Sequence, residues 1–425
     1  MKYKYTLNFS DVSIKDVPKV GGKNASLGEM IQRLGKQGIR IPGGFIVTAR
    51  GYRHFIKENG LEESIRKKVS SIKGDLKKLE KAGKEIRAMI NRGKFPEDLA
   101  REIKMRYEEM EDEYRKNVDV AVRSSATAED MPTASFAGQH ETYLNIRGRE
   151  NLLNAVRAAM ASLFTDRAIS YREDKGFKHM DVALSVGVQK MVRSDKGAAG
   201  VAFTLETESG FKDVVLINGI WGLGELIVQG EVTPDEWIVF KPTGGIIEKK
   251  LGKKDKKLGC AKRIKNQESG IGGISKTTVL KGTSEKEFAS FVLNEKEVVQ
   301  LAKWCIDIEK HYSKKNKKWM PMDVEWAKDG IDGRLYIIQA RPETVHSARD
   351  YTKVKTYRIP GQVRNDSKEI VTGAAIGSMI AAGKARVIMD AKDIGEFKKG
   401  EVLVTDMTDP DWEPIMKIAL SLIHI

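Results

Sequence analysis

The sequence predicts an α+β protein of two or three domains, and three observations lead to this prediction. A chain of 425 residues is too long for one ordinary hydrophobic core. Short runs in which apolar and polar residues alternate, such as 118–122 and 181–188, are typical of strands. Residues 60–115 instead place apolar residues at helical spacing among many charges, which indicates two or three surface helices.

Composition indicates a globular protein in an aqueous compartment. Hydrophobic residues make up 40% of the chain and charged residues 31%, which excludes a mostly disordered chain. No window holds the ~18 consecutive apolar residues of a membrane helix, and the first 17 residues lack the apolar core of a signal peptide. Two cysteines, Cys260 and Cys305, are too few for a disulfide framework or a zinc quartet. We therefore expect a cytoplasmic protein with no membrane partner.

The formal net charge of +15 has two interpretations. It could mark a protein that binds nucleic acid or another anion, or it could reflect lysines spread over solvated helix faces. We favour the second, because Lys and Glu are interleaved along 62–113 and no ladder of aromatic and basic residues is present to stack bases. We therefore expect no nucleic-acid partner.

One basic cluster remains, formed by Lys249, Lys250, Lys253, Lys254, Lys256, Lys257, Lys262, Arg263 and Lys265. It lies in a loop-like segment interrupted by glycines. We rank a solvated hairpin first, a lid over bound phosphates second and a nucleic-acid surface a distant third.

The stretch 121–146 carries the strongest functional pattern. A short apolar strand leads to Arg123, and three small hydroxyl residues follow within 124–127. Gly138 then precedes a second strand at 142–146. Arginine offers planar, permanently charged donors, and glycine lets backbone N–H groups approach an anion closely. The pattern suits a triphosphate, although loops of Ser, Thr and Gly are more often plain turns.

A glycine pair followed by a lysine, Gly21-Gly22-Lys23, comes before a run of apolar residues at helical spacing. This predicts a glycine turn that leads into an amphipathic helix. A lysine at such a helix start can contact a phosphate, to which the helix N-terminus adds partial positive charge. The GxxxxGK[ST] spacing of a P-loop is absent. On the motif alone, a solvent-facing lysine is the better interpretation.

The segment 321–343 predicts a β-hairpin, since two alternating runs flank 328–334 with its two Asp-Gly pairs. Such a hairpin places Glu325 near Gln339 on one face. A carboxylate beside an amide oxygen suits Mg²⁺, which usually takes one or two protein ligands plus phosphates and water. Arg341 lies two residues further along that face, where it can meet a γ-phosphate. The alternative is an exposed hairpin that only forms salt bridges.

Several of these blocks resemble one family. VRSSATAED with SFAGQ, VGGKNASLGEM, NGIWGLGELIVQGEVTPDEW, and DVEWA with IIQARPETV are similar to the nucleotide-binding domain of the phosphoenolpyruvate-utilising enzymes. That family includes the pyruvate, water dikinases (phosphoenolpyruvate synthases), pyruvate, phosphate dikinases and rifampicin phosphotransferases. The resemblance implies that Lys23, Gly138 and Thr142 bind the nucleotide. By the same resemblance, Gln189 matches a glutamine that contacts the nucleotide in rifampicin phosphotransferases. An equally good interpretation is that Gln189 lies on an edge strand and its amide faces water.

The resemblance also implies a domain arrangement. Residues 1–345 would form an ATP-grasp-type domain of two subdomains, 346–370 a linker, and 371–419 the start of a swivelling phosphohistidine β/α domain. The histidine that carries the phosphoryl group in that family follows the DWEP block, so we expect no catalytic residue within this chain. The final residues, 420–425, resemble a translated sequencing adapter, and we expect them to lie outside the fold.

By resemblance, the activity would be the conversion of ATP, pyruvate and water to AMP, phosphoenolpyruvate and phosphate. ATP and Mg²⁺ would bind to this chain, and a homo-oligomer could form through a further C-terminal domain. Two alternatives remain: a sister enzyme (pyruvate, phosphate dikinase, rifampicin phosphotransferase or glucan, water dikinase) and a basic nucleic-acid-binding protein without enzymatic activity.

Overall fold

The computed structural model describes residues 3–72, 76–127, 142–261, 277–344, 381–406, 408, 412–416 and 418–424. It is a mixed structure of helices and several sheets, as predicted. The strands are β1 Thr6–Asn8, β2 Gly44–Val47, β3 Val120–Ala126, β4 Thr142–Ile146, β5 Leu184–Lys190, β6 Ala198–Phe203, β7 Val214–Trp221, β8 Asp235–Phe240, β9 Gly245–Lys250, β10 Lys256–Cys260, β11 Thr278–Gly282, β12 Met322–Lys328, β13 Leu335–Pro342, β14 Ala385–Val387, β15 Val402–Thr405 and β16 Ser421–His424. The α-helices are α1 Val17–Arg33, α2 Ala49–Glu58, α3 Glu62–Ser70, α4 Leu76–Arg92, α5 Glu97–Glu113, α6 Arg149–Ala161, α7 Asp166–Asp174, α8 Glu225–Val228, α9 Glu285–Phe288, α10 Glu295–Asn316 and α11 Glu413–Met416.

The first sheet has five antiparallel strands in the order β1-β2-β5-β3-β4. Its strands β2, β3 and β5 are almost entirely buried, since helices α2 to α7 share one hydrophobic core with them. Thr48 accepts a hydrogen bond from the Gly51 N–H and caps α2. This core fixes one face of the sheet and leaves the other to α1.

The second sheet has six antiparallel strands in the order β13-β12-β6-β7-β8-β9. Helices α1 and α10 pack on it in a second core, which contains Trp237, Trp326 and Trp304. The predicted hairpin 321–343 is confirmed as β12 and β13, which form one edge of this sheet.

Helix α1 touches both sheets through buried polar side chains. The Asn24 amide donates to Ser185 Oγ on β5 at 2.9 Å, and Ser26 Oγ donates to the Ala340 carbonyl on β13 at 2.7 Å. Both side chains are buried, so each hydrogen bond satisfies groups that water cannot reach. The helix therefore fixes the two sheets relative to its own axis.

Three expectations differ from the structure. Apolar residues at helical spacing over 152–169 predict one helix, but the segment forms two, because a turn of 3₁₀-helix follows α6 and Thr165 caps the start of α7. The basic segment does not form the expected hairpin of its own, because Lys249 and Lys250 end strand β9, which pairs with β8, whereas residues 256–260 are strand β10, which pairs with β11. Its residues 262–265 lie outside the described residues. A solvated location is also wrong for Lys254, which is completely buried in an ion pair with Asp235.

A small parallel sheet, β14-β15-β16, follows near the C-terminal end of the sequence. We expected 420–425 to lie outside the fold, but Ser421–His424 pairs with β15 and Leu422 packs on a small core around Trp412. The predicted linker 346–370 lies outside the described residues. No helix in the described part of the chain is both long and apolar enough to cross a membrane.

Candidate functional site

The two sheets meet where Arg123 of β3 forms an ion pair with Glu325 of β12. Arg123 also donates a hydrogen bond of 3.4 Å to the carbonyl of Ile338 on β13. A guanidinium can hold a carboxylate and a carbonyl together because its donors form a rigid planar fork. Two residues that are 202 positions apart in the sequence thus join the two sheets, and we call the region around this contact the cleft.

A β-bulge on β13 sets the composition of the cleft wall. Glu325 pairs directly with Gln339, but Trp326 pairs with Ile337, so Ile338 is an extra residue without a register partner. Ile337 and Ala340 both lie in the second core. With strict alternation Gln339 would share the core face of Ile337, whereas the bulge turns it to the face of Glu325. The predicted proximity of Glu325 and Gln339 is therefore confirmed by the register.

Gln339 provides an unusual acceptor. Its side chain is 3% exposed, and its Oε1 atom has no hydrogen-bond partner among the described residues. A buried amide oxygen without a partner costs about 1–3 kcal/mol, which a cation at this position would recover. No cluster of three or more His, Cys, Asp or Glu side chains is placed to hold a metal within the described ranges. The residues present therefore fit an ion that takes two protein oxygens and obtains the rest from phosphate and water, as Mg²⁺ does.

Arg341 is held by Asp323, which was not among the predicted site residues. Its Nε donates to Asp323 Oδ2 at 2.8 Å, and its Nη2 contacts the same oxygen. Asp323 is the register partner of Arg341, two residues before Glu325 on the same face of β12. The alternation that revealed Glu325 could have revealed Asp323 as well. The ion pair orients the guanidinium along the cleft wall.

Lys23 reaches the same cleft through a break in α1 at Gly21, where φ is 72° and ψ is 166°. Only glycine adopts this backbone conformation readily. A Cβ atom at Gly21 would lie 2.3 Å from Ser125 Oγ and 2.7 Å from the Ser125 carbonyl oxygen, so β3 passes directly against this turn. The predicted glycine turn is thus a close contact with the strand that carries Arg123, and Lys23 follows it at the start of the regular helix.

Thr142 and Gln189 share the face of the first sheet on which Arg123 lies. Thr142 is the register partner of Arg123, and Gln189 is two residues beyond Gly187, the partner of Arg123 on β5. Gln189 is 2% exposed on a central strand and donates to the Pro42 carbonyl at 3.2 Å. The alternative of an edge-strand amide facing water is therefore wrong. Gly138 lies outside the described residues.

The electrostatics of the cleft favour an ionised Glu325. Burial pushes the pKa of Glu325 upward, but the charges of Arg123, Lys23 and Arg341 outweigh this effect and hold its pKa below the usual value. Burial raises the pKa of Asp323, and the ion pair with Arg341 offsets only part of this increase. The cleft thus combines three cations with a carboxylate, Glu325, whose pKa they lower.

Five of the six lysines that the structure describes in the basic segment form ion pairs. Lys249, Lys250, Lys256 and Lys257 form ion pairs with Glu295, Glu248, Glu231 and Glu287, respectively. Lys254 is buried against Asp235 and also donates to the Gly252 carbonyl at 2.8 Å. These lysines are therefore largely neutralised by the protein itself.

The arrangement can bind a polyanion together with a divalent cation. Lys23, Arg123 and Arg341 converge on one region from a helix and from two sheets, and Glu325 and Gln339 place two oxygens in that region. Positive side chains and a metal around a phosphate chain neutralise charge that develops during phosphoryl transfer.

Comparison with known proteins agrees with this chemistry. Residues 17–359 match the family model for the pyruvate phosphate dikinase AMP/ATP-binding domain. Among curated relatives, phosphoenolpyruvate synthase of Aquifex aeolicus is 54% identical over 423 residues, which are 97% of this chain and 48% of that protein. The phosphoenolpyruvate synthases of Helicobacter pylori and Escherichia coli are 48% and 44% identical, over 99% and 98% of this chain and 52% and 50% of theirs. The chain spans about half the length of these relatives. It belongs to the pyruvate phosphate dikinase AMP/ATP-binding domain family.

Proposed function

We propose that this chain is the ATP-binding part of a phosphoenolpyruvate synthase, which converts ATP, pyruvate and water to AMP, phosphoenolpyruvate and phosphate. The observation that carries the proposal is the ion pair of Arg123 with Glu325 across the two sheets, next to the unpartnered oxygen of Gln339. The relatives that match nearly all of the chain bear this enzyme name. ATP would lie between the sheets, with its phosphates toward the three cations.

Each site residue has a distinct proposed role. Lys23, Arg123 and Arg341 contact phosphate oxygens and compensate their charge. Glu325 and Gln339 would hold Mg²⁺, which would supply positive charge beside the phosphates. Arg123 would release Glu325 and bind phosphate when the nucleotide enters, because both groups find an oppositely charged partner in the complex.

The remaining roles rest on the family resemblance. Gly138 would approach the phosphates through its backbone, and Thr142 and Gln189 would line the part of the cleft formed by the first sheet. The ATP-grasp type, the boundaries 1–345, 346–370 and 371–419, and the swivelling character of the small parallel sheet belong to the same proposal. So do a phosphohistidine carrier, pyruvate as acceptor, a homo-oligomer and a cytoplasmic location.

The other candidate functions gain less support. Sister dikinases and rifampicin phosphotransferases would share an ATP site of this kind, but the relatives from Aquifex aeolicus, Helicobacter pylori and Synechocystis, which match 97%, 99% and 98% of the chain, are phosphoenolpyruvate synthases. A nucleic-acid-binding role needs cations that are not already paired, and five lysines of the basic segment form ion pairs within the chain.

Calorimetric titration of the chain with ATP tests the proposal. In Mg²⁺ we expect binding that Glu325→Gln and Gln339→Leu each weaken by about 10- to 150-fold, because each removes a contact to a charged partner worth about 1.5–3 kcal/mol. The loss should shrink when Mg²⁺ is replaced by EDTA, since both residues act through the cation.

The matched control is Glu295→Gln, which removes an exposed carboxylate on α10 that pairs with Lys249. It should bind ATP as the unchanged chain does. Equal ATP affinity in Glu325→Gln and the unchanged chain would contradict the proposal. Tight binding to DNA that weakens steeply with salt and survives Lys23→Ala with Glu325→Ala would favour the nucleic-acid hypothesis instead.

A further inference from the structure

The chain passes from the first sheet to the second through residues 191–197, between β5 and β6. This crossover is hydrogen-bonded to the turn that joins β12 and β13. The Arg193 N–H donates to Asp329 Oδ2 at 3.0 Å, and the Gly330 N–H donates to the Arg193 carbonyl at 3.1 Å. Asp329 Oδ1 also accepts from the Ile331 N–H at 2.7 Å, so one buried carboxylate organises both segments.

The two segments touch backbone to backbone. A Cβ atom at Gly197 would lie 2.3 Å from the Lys328 carbonyl oxygen, and one at Gly330 would lie 2.1 Å from the Lys196 carbonyl oxygen. Approach this close is possible only where neither residue has a side chain. The crossover is therefore packed against the hairpin rather than linked to it loosely.

The side chain of Arg193 extends the contact to the first sheet. Its Nε and Nη2 donate to the two carboxylate oxygens of Asp195 at 2.7 and 2.8 Å. Its Nε also lies 3.5 Å from Oδ2 of Asp119, the residue directly before β3. Burial raises the pKa of Asp195, but the hydrogen bonds and charge of Arg193 outweigh it and keep the pKa below its usual value. We call Asp119, Arg193, Asp195 and Asp329 the crossover clamp.

The crossover clamp lies where a small rotation would displace Arg123 of the candidate site. Asp119 precedes Arg123 by four residues, which is about 13 Å along a strand. A rotation of about 5° at the clamp would therefore move Arg123 by about 1 Å, more than the ~0.5 Å within which binding groups must be held. The same rotation would change the approach of Arg123 to Glu325, since these residues lie on different sheets.

We propose that the crossover clamp is a positioning device that sets the angle between the two sheets, and thereby the affinity of the cleft for Mg·ATP. Arg193 and Asp329 are its central positioning residues, and they act through β3 and the β12–β13 hairpin. The effect on ATP rests on the proposed function, whereas the effect on the inter-sheet angle does not.

The test compares two double variants. The double variant Arg193→Met with Asp195→Asn removes the contacts of the Arg193 side chain with Asp195 and Asp119. Asp119 keeps its ion pair with Arg115. The control, Lys241→Met with Glu309→Gln, removes another largely buried ion pair that lies wholly on the side of the second sheet. Both changes remove one cation and one carboxylate, so their costs to folding are comparable.

Three quantities are measured for each protein: the unfolding midpoint, the affinity for Mg·ATP, and the distance between spin labels at Glu63→Cys on α3 and Lys303→Cys on α10. Glu63 and Lys303 are exposed, and their helices pack in the cores of the first and the second sheet, respectively. All label proteins also carry Cys260→Ser, so that the partly exposed native thiol is absent. The clamp variant should lose about 2- to 30-fold in ATP affinity and show a broader or shifted distance distribution. The control variant should keep the ATP affinity and the distance distribution of the unchanged chain, although its unfolding midpoint should be similar to that of the clamp variant.

An unchanged distance distribution, or ATP affinity equal to that of the control, would overturn the inference. If the clamp double variant does not fold, Asp329→Asn is measured in the same way, since it weakens the acceptor for the Arg193 N–H and keeps the size of the side chain. If the unchanged chain does not bind ATP, the proposed function fails, and the distance distributions alone decide whether the clamp sets the inter-sheet angle.

Discussion

Replacing Gly21 by alanine tests the packing of α1 against β3. The backbone at Gly21 has φ of 72° and ψ of 166°, a region that is essentially restricted to glycine and costs other residues about 1–3 kcal/mol. The new Cβ would also lie 2.3 Å from Ser125 Oγ and 2.8 Å from the Ala126 carbonyl oxygen. Displacing these neighbours adds the cost of overpacking, about 1–3 kcal/mol. We therefore expect Gly21→Ala to lower the free energy of unfolding by about 2–6 kcal/mol.

Urea unfolding followed by tryptophan fluorescence measures this loss. The matched control is Gly35→Ala, two residues beyond the end of α1, where an added Cβ meets nothing within 4 Å. That variant should be neutral or more stable by up to about 1 kcal/mol, since alanine restricts the unfolded chain. Gly21→Ala should also weaken ATP binding, because the turn positions Lys23. An unfolding midpoint for Gly21→Ala equal to that of Gly35→Ala would refute the packing argument.

Three further predictions concern stability. Burial and the positive charge of Arg172 lower the pKa of His179 from 6.5 to about 4, and its Nδ1 accepts a hydrogen bond from Arg172 Nε. Between pH 6.5 and about 4, His179 is protonated in the unfolded chain but neutral in the folded one. The free energy of unfolding should therefore decrease as the pH falls below 6.5, by about 2 kcal/mol at pH 5. His179→Gln should remove this part of the pH dependence in urea titrations, and an unchanged slope would contradict the assignment. Lys254→Met leaves Asp235 charged and buried, so it should cost about 3–5 kcal/mol; an unfolding midpoint near that of the unchanged chain would show that the pair is not needed. Thr48→Ala removes the cap of α2 and should cost about 1 kcal/mol in the same assay, whereas Thr48→Ser should retain most of it.

Local structure was largely predictable from the sequence. Strand β4 was predicted at its observed bounds and the β12–β13 hairpin nearly so, because alternation and turn residues are local signals. Strand β3 was predicted over 118–122 but covers Val120–Ala126, so Ser124 and Ser125, which were expected to follow the strand, lie on it and are buried. The helix expected over 152–169 failed because Thr165 serves as a cap, and a cap inside an apolar run is hard to distinguish from an ordinary helical position.

The sequence predicted which residue types form the candidate site but not how they are placed relative to one another. Strict alternation would have directed Gln339 into the core, and only the extra residue Ile338 in the bulge turns it toward Glu325. Asp323 was missed although alternation places it on the same face as Glu325, because its role depends on its register partner, Arg341, which only the structure shows.

The sequence by itself determined the chemistry available to this protein: a lysine after a glycine turn, an arginine on a short strand, and a carboxylate and an amide on a hairpin. These choices are local, since each follows from residue type and spacing. The tertiary structure decided that they meet. Arg123 reaches Glu325 across 202 positions because α1 hydrogen-bonds to both sheets and the crossover packs against the hairpin turn. No local pattern encodes that contact, because it depends on how two separately packed sheets are placed against each other.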